Sequence, residues 1–79
     1  MDVRVEISTF QIDGTYRSRI NIVGPNGNGG VDTENLDAPV GTSFPTAEAA
    51  KEFARSQATA RVHERYGQEA HIDFTYRGQ

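Results

Sequence analysis

Apolar and polar residues alternate along the first strand-like stretch of this chain. Over residues 3–12, Val3, Val5 and Ile7 share one side, and Arg4, Glu6 and Ser8 the other. That two-residue period predicts a half-buried β-strand. Asp13-Gly14 follows, a pair that tolerates positive φ and predicts a two-residue type I′ hairpin. Residues 15–23 alternate again, with Tyr16, Ile20 and Ile22 against Arg17, Arg19 and Asn21. A two-residue turn fixes the register: Ile12 opposes Thr15, Phe10 opposes Arg17, Ile7 opposes Ile20 and Val5 opposes Ile22. Val3, Val5, Ile7, Tyr16, Ile20 and Ile22 then fall on one face.

The period changes to helical from Phe44 to Tyr66. Thr46 is a natural N-cap, with Pro45 before it and Glu48 in the first turn. Gly67 follows Tyr66, where a left-handed C-cap is expected. Ala47, Ala50, Phe53, Ala54 and Ala58 share one stripe at about 100° per residue, and Phe53 is its single large anchor. The alanines predict close approach to a sheet. Beyond Ala58 the stripe is interrupted: Gln57 and Arg61 continue it, while Val62 and Tyr66 drift to its side. Residues 70–76 alternate once more, with Ile72, Phe74 and Tyr76 together, and this strand should return to the same sheet by a crossover. Ile72 and Phe74 are expected to meet Phe53.

Between hairpin and helix the pattern is weak. Residues 24–30, GPNGNGG, predict a flexible tip. Gly27-Asn28-Gly29-Gly30 matches the bare GxxG of a phosphate clamp but follows a strand rather than a helix, and no Gly-Lys-Ser/Thr ending makes it a P-loop. Asp32, Glu34 and Asp37 lack the spacing of a calcium loop, so residues 31–39 read as a solvated acidic loop. Residues 40–44 are a candidate short third strand, with Leu36 and Val40 as tethers to the core. The resulting expectation is a single α+β domain over residues 1–79. It has an antiparallel sheet of three to four strands, ββ(β)αβ, one long helix on one face, and a flexible loop over about 24–39.

Composition narrows the function. Seventy-nine residues with 35% hydrophobic content support only a modest core, and self-association that shares burial is a reasonable expectation. A net charge of −3 disfavours a dedicated nucleic-acid binder. No cysteine is present, so disulfides and thiolate metal sites are excluded. No apolar run approaches membrane-spanning length and no signal-like segment opens the chain, so a cytoplasmic location is expected. His63, His71 and Asp73 lie on different elements without metal-ligand spacing, and Ser8, Ser18, Ser43 and Ser56 have no nucleophile-elbow context. No catalytic cluster, cofactor site or metal site is expected.

Two surfaces carry candidate chemistry. The sheet face away from the helix holds Arg4, Phe10, Ile12, Arg17 and Arg19, a mixed aromatic and cationic surface. It can serve ordinary cross-strand packing with arginine stems over Phe10, burial against a partner copy, or ligand contact. Gln57, Arg61 and Arg65 form a second candidate, either partly solvated last turns that overhang the sheet or a group facing a partner subunit or a polar small-molecule pocket.

The order hairpin, loop, Phe44-Pro45-Thr46-Ala47-Glu48-Ala49-Ala50, helix and final strand resembles small single-domain bacterial proteins of unknown function with a ββ(β)αβ arrangement. The resemblance implies this fold and a dimer, and brings no catalytic residues. The leading expectation is thus a non-enzymatic interaction module, homodimeric or bound to another protein through the open sheet face or an edge strand. The alternative is a weak single-stranded nucleic-acid binder using Phe10, Arg17 and Arg19.

Overall fold

A computed structural model describes residues 2–37 and 42–78. The order of elements is β1 (Asp2–Ile12), β2 (Thr15–Pro25), β3 (Val31–Asp37), α1 (Ala47–Tyr66) and β4 (His71–Gly78). The four strands form one sheet in the order β3-β2-β1-β4, with α1 on one face.

The first hairpin forms as its turn residues dictate. Asp13 and Gly14 have φ of 52° and 80°, the two positive values a type I′ turn needs. The register pairs Phe10 with Arg17, Ile7 with Ile20 and Val5 with Ile22, as expected.

Residues 31–37, expected to be acidic loop, form strand β3. It pairs antiparallel with β2, Ile22 opposite Glu34 and Ile20 opposite Leu36. Among the described residues of the expected 24–39 loop, only the tip remains a turn. There the Asn26 side-chain oxygen accepts from Asn28 and Gly30 N–H at 2.9 and 3.2 Å. The expected 40–44 strand lies partly outside the described residues; Phe44 makes an isolated bridge to Tyr16.

The sheet is mixed rather than antiparallel, because β4 pairs parallel with β1, Val5 opposite Phe74. The added strand is the cause. With β3 running back beside β2, the helix must return along the sheet in the opposite sense. The strand after the helix then runs the same way as β1.

The core lies between the sheet and α1. Val3, Val5, Ile7, Ile20 and Ile22 meet Ala54, Ala58 and Val62, with Leu36, Tyr66, Ala70, Ile72 and Phe74 packed around them. Thr46 caps the helix, its hydroxyl oxygen accepting from Ala49 N–H at 3.1 Å. The buried helical stripe is Ala50, Ala54, Ala58 and Val62, each fully buried. Steps of four residues wind around the helix axis, as contact with a twisted sheet requires. For that reason Val62 is buried while Gln57 is exposed. Phe53 is correspondingly displaced from the expected centre: it is half-buried, and its ring lies 5.1 Å from that of Phe44.

Candidate functional site

The open face splits its predicted residues into two groups. Phe10 and Arg17 sit directly opposite one another near the hairpin, Ile12 is 40% exposed at its tip, and the Arg19 guanidinium lies 5.9 Å from the Phe10 ring centre. One arginine head group over the Phe10 ring is thus the observed arrangement. Arg4 stands apart. It pairs with Val23, six residues along β2 from Arg17, which separates the groups by about 20 Å at strand rise. Around Arg4, a shallow groove of about 610 Å³ is lined by Asp2, Val23, Pro25, Val31 and Asp73. Val31 is 65% exposed there. Polar residues separate the two apolar ends, so no continuous apolar patch spans this face.

The second candidate group is tied inward. Arg61 donates through Nε and Nη2 to both carboxylate oxygens of Glu34, at 2.9 and 2.8 Å. Arg65 donates to Asp32 at 2.8 Å, and its guanidinium lies 5.3 Å from the Tyr66 ring centre. Glu34 and Asp32 share the helix-side face of β3 with Leu36. The last helical turns therefore clamp β3, and Gln57 remains exposed. Hydrogen bonds from Arg61, together with the charges of Arg61 and Arg65, hold the Glu34 carboxyl below the usual carboxylate range against a smaller opposing effect of burial. A downward shift suits a fixed anion rather than a proton carrier. Tyr66 completes the seal. Its ring lies so close over Gly24 that a β-carbon there would collide with the hydroxyl and ring.

A third surface was not read from the sequence. On β4 the helix-side residues are Ile72, Phe74 and Tyr76, but α1 leans toward β1 and β2 and leaves them partly open. The Phe74 and Tyr76 rings stack with centres 6.2 Å apart and planes 14° from parallel. Arg55 lies 5.1 Å from the Phe74 ring centre. Glu48, Lys51, Glu52, Arg55 and Tyr76 line a trough of about 310 Å³, with Tyr76 43% exposed. Among the described residues, no strand pairs with the outer side of β4. The alternation over residues 70–76 did place these aromatics on one face. What it could not supply was the lateral position of the helix.

Among the described residues, no group of three or more His, Asp or Glu side chains gathers to hold a metal ion. No described helix is long and apolar enough to cross a membrane. No protein-family model, curated protein or solved structure matches this chain.

Proposed function

We propose that this chain is a non-enzymatic interaction module that self-associates through the uncovered part of its sheet. One observation carries the reading: α1 occupies a single face, so the second face and the outer edge of β4 have no cover among the described residues. The size of the core adds weight. The buried helical residues are three alanines and Val62, and such a contact gains little from burial per residue. A further copy of the chain would supply the missing burial. Size-exclusion chromatography with light scattering tests this. A particle of twice the 8.7 kDa chain mass at high concentration is expected, and a clean monomer throughout overturns it.

The alternative, single-stranded nucleic-acid binding on Phe10, Arg17 and Arg19, is disfavoured by the contact between Arg19 and Phe10, because the stacking face already carries a cation. Anisotropy titration with single-stranded DNA and RNA at low salt separates the readings, since phosphate contacts are strongest there. Tight binding that weakens steeply with salt would favour the alternative.

A further inference from the structure

Hydrogen-bond parity fixes which groups β4 turns outward. Tyr16 exchanges both its N–H and its C=O with Phe44, at 2.8 Å each, on the side of β2 away from β1. Alternate residues point opposite ways, so Arg17 and Arg19 bond toward β1, and their opposites Phe10 and Ser8 bond toward β2. Val3, Val5, Ile7 and Thr9 are left to bond β4. In a parallel ladder each such residue reaches the neighbours of its opposite number. Val5 opposes Phe74 and therefore bonds Asp73 and Thr75. Ile72, Phe74 and Tyr76 consequently turn their N–H and C=O groups to the outer edge.

That edge has little of what usually blunts one. The sequence HIDFTYRG contains no proline and no lysine, and its pairing with β1 spans eight residues. Its charges are arranged as opposites. We infer that β4 pairs antiparallel with the β4 of a second copy, about a two-fold axis at Thr75, to make one continuous eight-stranded sheet. The inference rests on the self-association reading above and names the surface and register it uses.

Three features select this register. Outward groups must face outward groups, which admits only registers centred on a residue. Centring on Thr75 places Asp73 opposite the second copy's Arg77, twice by symmetry, in non-hydrogen-bonded pairs where side chains approach closest. It also sets Phe74 opposite the second copy's Tyr76, which covers the exposed Tyr76 ring. Centring on Asp73 would oppose two carboxylates, and centring on Phe74 would leave Asp73 opposite a threonine. The two-fold axis runs perpendicular to the sheet, so both helices stay on one side and the four aromatic rings fill the trough between them. The open face is the weaker alternative, since its apolar ends lie about 20 Å apart with polar residues between them.

Two substitutions, each paired with a second variant as its control, test the register, with light scattering on the wild type beside them. Thr75→Cys places two thiols across the axis at a Cα separation of about 4.5 Å, within disulfide range. Mild oxidation should yield a crosslinked dimer, whereas Thr33→Cys, on the same face of β3, should not. Asp73→Arg sets arginine against arginine and should weaken dimerisation about tenfold or more. The swap Asp73→Arg with Arg77→Asp should restore it. Within one chain the swap is unfavourable, because position 73 lies beside Arg4 and Arg77 reaches Glu6 at 3.7 Å. Rescue therefore reports the contact between copies. A wild-type monomer at every concentration overturns both the reading and the inference. A dimer that neither crosslinks in the Thr75→Cys variant nor responds to Asp73→Arg overturns the inference alone and leaves the open face as the contact.

Discussion

The two edges of this sheet solve the same problem in different ways. Strand β3 presents Asp32, Glu34 and Leu36 to the helix side, and the C-terminal half of α1 answers with Arg65, Arg61 and Val62. Tyr66 lies over Gly24 on the neighbouring strand. Strand β4 presents Ile72, Phe74 and Tyr76 to the same side, and the N-terminal half of α1 leaves them half open under Arg55 and Lys51. One edge is tied within the chain by its charges. The other carries Asp73 and Arg77, which lie beside Arg4 and Glu6 within the chain and which the proposed dimer would set against each other across its two-fold axis. On the proposed reading, the arrangement of charge separates an edge that serves stability from one that serves association.

Substitutions at the two edges should separate into effects on folding and effects on self-association. The largest loss is expected beneath β3 and β2. Ile22→Ala empties a fully buried position and should cost about 2–5 kcal/mol in chemical denaturation. A loss much under 1 kcal/mol would mean that this side of the core is loosely filled. Gly24→Ala should cost about 1–3 kcal/mol by driving Tyr66 off the sheet. An unchanged melting temperature would place Tyr66 elsewhere in solution. On the β4 side, Tyr76→Ser should leave the dilute chain nearly as stable as wild type while weakening self-association about threefold to tenfold. If instead it unfolds the dilute chain, β4 belongs to the folding side of the comparison.

The smallest effect belongs to the clamp on β3, and it carries a pH signature. Arg61 holds the Glu34 carboxyl below its ordinary value of 4.5, so folding favours the ionised form. The stabilisation is complete above that value and fades as pH falls below it, through the lowered value of the folded state. The melting-temperature deficit of Glu34→Gln should therefore be present at neutral pH and close below pH 4.5. It should also shrink in about 1 M salt, because the pair is partly solvated. A deficit independent of pH would assign the loss to shape rather than charge.

The elements held by local rules are legible in the chain. The Asp13-Gly14 turn sets the hairpin register, Thr46 sets the helix start, and alternation sets the inward face of β4. What is not legible depends on distant partners. Asp32 and Glu34 resemble solvated loop residues until Arg65 and Arg61, 33 and 27 positions away, are seen to neutralise them. The unforeseen strand β3 also inverts the expected direction of β4, since each added strand reverses the sense of the chain. Phe53 is the natural anchor by size, yet the winding stripe of a helix on a twisted sheet selects Val62 instead. Of the candidate residues, Arg61 and Arg65 stand out in the sequence as polar breaks in the stripe. Their partners are invisible without the third dimension.

The central claim concerns the free groups of β4, and amide hydrogen exchange by NMR reads them directly. Asp73, Thr75 and Arg77 turn toward β1, while Ile72, Phe74 and Tyr76 turn outward. If β4 pairs with a second copy, the Phe74 and Tyr76 amides should exchange as slowly as that of Thr75 at high protein concentration. They should speed up on dilution while Thr75 stays protected. Fast exchange of Phe74 and Tyr76 at every concentration, beside a protected Thr75, would contradict the account.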